Sequence, residues 1–90
     1  MKAFDLAIIS PEKSIYKGRV VSLVVPASLG YLGVLANHAP LIAGLKSGRI
    51  IIREESGEQK VFQCADKGFL EVLHNEVNIL LSLQGRESIH

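Results

Sequence analysis

Glycine or proline recurs at Pro11, Gly18, Pro26, Gly30, Gly33, Pro40, Gly44, Gly48, Gly57 and Gly68, dividing most of the chain into short segments. Inside a helix each glycine costs about 1 kcal/mol relative to alanine and each proline about 3 kcal/mol. A helix longer than about two turns is therefore not expected. The stretch from Glu58 to Lys67 contains neither residue, yet its apolar members Val61, Phe62, Cys64 and Ala65 form no helical stripe. Segments of this length, separated by turn formers, read as strands.

Side-chain alternation gives those strands a direction. Phe4, Leu6 and Ile8 fall on one face of a first strand, with Ala3, Asp5 and Ala7 on the other. Val21, Leu23 and Val25 make a second inward set, and Ile50 and Ile52 a third, with Arg49, Ile51 and Arg53 opposite. Ser56-Gly57 turns the chain, "KVFQCA" returns from it, and His74-Asn75 makes a further hairpin turn. In "VNILLSL", Val77, Ile79, Leu81 and Leu83 point to the core, which leaves Asn78, Leu80 and Ser82 outside. The pattern predicts an all-β fold: a flattened antiparallel β-sandwich or barrel of about ten short strands with no long helix. Ninety residues fit one domain, 1–90, of this kind.

An antiparallel sheet commonly buries one face and leaves the other polar. Here several outward positions are apolar as well: Ile9, Ile51, Leu80 and one side of "PLIAGL". In a chain that is 48% hydrophobic, that number of outward apolar positions points to a partner-binding face.

Charge excludes other classes. The net charge is +1 with no lysine–arginine cluster, so no nucleic-acid partner is expected. Lys13, Lys17 and Arg19 alternate with Ile15, Gly18 and Val20 as on a solvated strand edge. No run approaches the ~18 apolar residues of a membrane span, so direct membrane insertion is not expected. The N-terminus "MKAFDLAIIS" has Asp5 where a signal peptide would have its apolar region. The single Cys64 forms no internal disulfide and reads as a small buried hydrophobe.

The residues offer no catalytic constellation, and none is assigned. None of His38, His74 and His90 stands three or four residues from another ligand-type residue in a helix, and one cysteine makes no zinc pattern, so no metal or other cofactor is expected. The carboxylates Glu54, Glu55, Glu58, Asp66, Glu71 and Glu76 fall mostly at turns. His38 reads as a turn residue.

What remains is the uncharged segment "GYLGVLANHAPLIAGLKSG", residues 30–48. It resembles the segment G-E-L-G-I-x-P-G-H-A-P-L-L-T-x-L-K-x-G of the epsilon subunit family of the rotary F-type ATP synthase. "LAIISPEKSIYKGRVVSLVVPA" is similar to the opening of that family, and "KGFLEVLHNEVNIL" to its G-G-F-L-E-V-x-x-N-x-V-x-V-L. Three matches in order, at the right spacing, are more specific than any one alone.

The resemblance implies a non-catalytic central-stalk subunit that links the gamma subunit to the ring of c subunits and couples proton-driven rotation to ATP synthesis. It implies a peripheral place on the cytoplasmic face of a bacterial inner membrane, with the stromal side of a thylakoid as the lesser alternative. Carried over by position, the c-ring contact falls on Gly30, Tyr31, Leu32 and Gly33, the turn of the family motif. The gamma contact falls on His38, Ala39, Pro40, Leu41 and Ile42, with the outward Asn78 and Leu80 of the last strand. Tyr31 stands where the family usually has a glutamate, Ala36-Asn37 replaces Pro-Gly, and "ADKG" replaces S-G-G. The family's C-terminal helical hairpin, which carries its inhibitory and ATP-binding residues, would lie beyond His90, so no ATP binding is expected of these ninety residues. The competing reading is a free-standing β-sandwich module that binds another protein or a small ligand.

Overall fold

The computed structural model describes residues 2–82 and places eight strands in them. In chain order they are β1 (Phe4–Ile9), β2 (Ser14–Ala27), β3 (Gly30–Val34), β4 (Leu41–Leu45), β5 (Gly48–Glu54), β6 (Gln59–Cys64), β7 (Gly68–Leu73) and β8 (Glu76–Leu81). No helix occurs among the described residues. The strand count is lower than the ten expected because Gly18, Gly33 and Gly44 do not break the chain. Each lies inside a strand, and β2 runs unbroken for 14 residues.

That long strand organises the fold. The first half of β2 pairs antiparallel with β1, from Ile9↔Ser14 to Phe4↔Val20. Its second half pairs with β5 on one side and β3 on the other. Between the halves the register shifts at Val20/Ser22, so that Val21, expected inward with Leu23 and Val25, and its neighbour Val20 are both buried. A bulge of this kind bends a strand and lets it serve both layers of a sandwich. The first layer continues β1–β8–β7–β4, the second ends at β6, and β2 also touches β4 through Ala27↔Leu45. The principal extents of 42, 26 and 19 Å make the sandwich flat.

One pairing departs from the antiparallel expectation. β1 and β8 run parallel, from Asp5↔Glu76 to Ile9↔Leu80. Parallel neighbours need a long crossover, and here the crossover is the rest of the sandwich.

The core follows the alternation read from the sequence. Phe4, Leu6, Ile8, Leu23, Val25, Ile50, Ile52, Val77 and Ile79 are all buried, joined by Leu70, Val72 and Cys64. No polar or charged residue is buried among the described residues. Leu81 packs against this cluster only partly buried, and Leu83 lies outside the described residues.

Candidate functional site

The parity that buries Leu70, Val72, Val77 and Ile79 turns Phe69, Glu71, Asn78 and Leu80 to the opposite face. Register then sets which of them meet. Phe69 lies opposite Leu80, which lies opposite Ile9, while Gly44 flanks Phe69 on β4. The adjacent row runs Ile42, Glu71, Asn78 and Ala7. Ile42, Phe69 and Leu80 are 75%, 61% and 45% exposed, so the outer face of the first layer carries a joined apolar patch with one carboxylate in it. Ile42, Asn78 and Leu80, assigned above to one contact, thus share one face. Phe69 is its most central large side chain and was not among the residues singled out from the sequence. The alternation in "GFLEVL" carries the signal that would have found it.

Ile51, also expected outward, belongs to the second layer. It is half-buried between Val24 and the exposed Val61 in a smaller outward row.

Gly30, Tyr31, Leu32 and Gly33 form a strand, not the turn expected of them. The turn is Ser28-Leu29, closed by the pair Ala27↔Gly30. Ser28 anchors it: both its N–H (2.9 Å) and its hydroxyl (3.1 Å) donate to the Gly44 carbonyl. Leu29 at the tip is fully exposed and was not anticipated, since nothing local distinguishes it from a buried leucine. Tyr31 is 60% exposed and its hydroxyl accepts the Arg49 N–H at 3.2 Å, while Leu32 leans on the core. A groove of about 440 Å³ separates this hairpin from β4, lined by Leu29, Tyr31, Leu32, Ile42 and Ala43. The groove and the outer face meet at Ile42.

His38, Ala39 and Pro40 lie in the loop between β3 and β4, Ala39 and Pro40 exposed and His38 half-buried. Asn37 adopts φ 63°, a left-handed conformation that asparagine tolerates. His38 Nδ1 bonds the Ala39 carbonyl at 2.7 Å, so the imidazole is held by its own loop. Leu41 opens β4 and packs against the core.

The electrostatics concentrate elsewhere. Tyr16 donates its hydroxyl hydrogen to Glu54 Oε2 at 2.5 Å, and Lys60 reaches the same oxygen at 3.3 Å. Lys60 Nζ also sits 5.7 Å from the Tyr16 ring centroid, and Phe62 packs on that ring at 5.4 Å. Burial and the bond to Glu54 push the Tyr16 hydroxyl up to about 12. The same bond holds the Glu54 carboxyl below its ordinary value. This cluster ties β2 to β5 and β6.

Cys64 is fully buried, and desolvation raises its thiol above the ordinary value, the reverse of an activated nucleophile. Among the described residues no group of three or more His, Cys, Asp or Glu could hold a metal ion. The arrangement offers contact surface.

Residues 3–82 match the family described as ATP synthase, Delta/Epsilon chain, beta-sandwich domain. The ATP synthase epsilon chain of Leptospira borgpetersenii serovar Hardjo-bovis is 50% identical over 76 residues, which cover 84% of this chain and 58% of that one. The epsilon chain of Chlorobaculum tepidum is 39% identical over 79 residues, covering 88% of this chain and 89% of its own length. The chain thus spans a little over half of several curated relatives and most of that short one. A chain in the Euglena gracilis mitochondrial ATP synthase, solved as OSCP/F1/c-ring, has the same fold, with a TM-score of 0.81 over 88% of this chain and 50% of its own at 22% identity. A chain in the central stalk/c-ring of the Tetrahymena thermophila mitochondrial enzyme gives 0.71 over 87% of this chain and 62% of its own at 16%. A two-layer sandwich closed by one bulged strand, matched by the family over nearly its whole length, places this chain in the ATP synthase delta/epsilon β-sandwich family.

Proposed function

We propose that this chain is a non-catalytic central-stalk subunit of a proton-translocating F-type ATP synthase. It holds the gamma subunit with one surface and the c-ring with another, and so passes rotation of the ring to the catalytic head. Its place is peripheral, on the cytoplasmic face of a bacterial inner membrane.

The observation that carries this reading is the joined outer patch of Ile42, Phe69 and Leu80 in a protein whose core is already complete. Exposed patches of this kind mark partner surfaces. The gamma contact comprises His38, Ala39, Pro40, Leu41, Ile42, Asn78 and Leu80, with Phe69 added at its centre. The c-ring contact comprises Gly30, Tyr31, Leu32 and Gly33, extended to Leu29 at the hairpin tip. With tyrosine at position 31 the tip bears no carboxylate, so its contact is mainly apolar.

Copurification with the gamma subunit of the same organism tests the proposal. A stable complex that Leu80→Asp weakens is the expected result. A folded chain that binds no gamma subunit would leave the free-standing binding module as the better reading.

A further inference from the structure

The turn between β7 and β8 has two residues, His74 and Asn75, with φ of 50° and 61°. Two left-handed residues in a two-residue hairpin loop make a type I′ turn, which glycine at the second position would satisfy as well as asparagine. The turn alone therefore does not need the Asn75 side chain, yet both ends of its amide are engaged. Oδ1 accepts the Asn37 N–H at 2.7 Å, and Nδ2 donates to the Ala3 carbonyl at 3.0 Å. The Asn75 carbonyl also accepts the Asp5 N–H at 3.3 Å.

These bonds join three segments far apart in sequence: residue 75, the loop at 37, and the N-terminus at 3–5. Among the described residues, no other hydrogen bond links residues 35–40 to a different segment. Ala36 packs against the core, but Asn37, Ala39 and Pro40 beyond it are exposed and His38 is only half-buried, so packing does little to hold that end of the loop.

We propose that Asn75 is a positioning residue: its side-chain amide fixes the Asn37–Pro40 loop against the β7–β8 turn and thereby sets where His38, Ala39 and Pro40 stand. The consequence for a partner rests on the reading that this loop faces the gamma subunit. The positioning itself does not.

The test compares Asn75→Gly, which keeps the turn and removes the amide, with Asn75→Asp, which keeps the acceptor for Asn37. Amide exchange is followed by NMR on the 90-residue chain. In Asn75→Gly the Asn37 amide should exchange about three- to tenfold faster, the factor expected for one lost neutral hydrogen bond. Asn75→Asp should retain its protection. Equal protection of Asn37 in wild type and Asn75→Gly overturns the proposal, as does its loss in both variants alike. Gamma-subunit affinity is measured beside it and should fall by a similar factor in Asn75→Gly alone. Absence of wild-type binding sinks the stalk reading and leaves the exchange data to decide the role of Asn75. Wild-type binding that Asn75→Gly leaves intact, despite a released loop, overturns its importance for the partner.

Discussion

Phe69 and Leu80 stand directly opposite each other across β7 and β8, both on the outer face and both largely exposed. Their inward neighbours Leu70 and Ile79 form the next pair and are fully buried. One residue of parity separates a surface pair from a core pair. Burying a leucine against a partner is worth about 1.5–3 kcal/mol. Leu80→Asp is therefore expected to leave the melting temperature nearly unchanged while weakening gamma binding by about 2 kcal/mol, roughly thirtyfold. Ile79→Asp should unfold the domain, because it strands a charge in a thin core. Melting curves and gamma affinity of the two variants check both statements.

Phe69→Ala should behave like Leu80→Asp in kind, with lost affinity and kept stability. Because the two side chains are cross-strand neighbours, a double-mutant cycle should show coupling of about 0.5 kcal/mol or more. Strict additivity in the measured affinities would mean that the two contact separate parts of a partner.

Gly68 lies opposite Leu81 at the start of β7, where the backbone leaves no room for a side chain. A Cβ at that position would lie 2.6 Å from the Leu80 carbonyl oxygen, which is backbone and can move only with its strand. Gly68→Ala should destabilise the chain by about 1–3 kcal/mol, measured by denaturant unfolding. Gly48→Ala should have a comparable effect for two reasons: its φ of 154° and a Cβ only 2.7 Å from that of Pro26.

The Tyr16–Glu54 bond predicts how stability varies with pH. Glu54 titrates lower in the folded chain, so its contribution is present above its unfolded pKa and is lost as pH falls through the folded one. Tyr16 titrates higher, so its contribution is present below the unfolded value of 10.0 and is lost as pH rises toward about 12. Melting temperature should thus fall below the ordinary carboxylate range and again between about pH 10 and 12. Tyr16→Phe should flatten the alkaline fall. An unchanged alkaline limb in that variant would assign the fall to other groups.

Cys64 should resist thiol reagents in the native state and react at the rate of unfolding, since its side chain is inaccessible and its thiol is held protonated. Labelling kinetics across a denaturant series check this. Fast labelling in buffer alone would show that the edge strand β6 opens locally.

The sequence by itself determined which side of each strand is buried. Period-2 alternation in Phe4, Leu6 and Ile8, in Ile50 and Ile52, and in Val77 and Ile79 admits one inward face, because a slip of one residue would expose the whole set. It also determined that the described residues form strands and turns without a helix, and it put Leu80 outside. The tertiary structure alone decided what lies beside what. Alternation along a strand says nothing about register between strands distant in sequence. The parallel β1–β8 pair, the row Phe69–Leu80–Ile9 and the bridge from Asn75 to Asn37 and Ala3 could not be read locally. Gly18 reads locally as a strand break because a glycine's neighbours do not reveal whether the chain runs straight through it, and β2 does. The likeness to the family motif puts a turn at Gly30–Gly33, whereas the two-residue loop Ser28-Leu29 is set by the pairing Ala27↔Gly30, a contact between strands and not a property of any one residue.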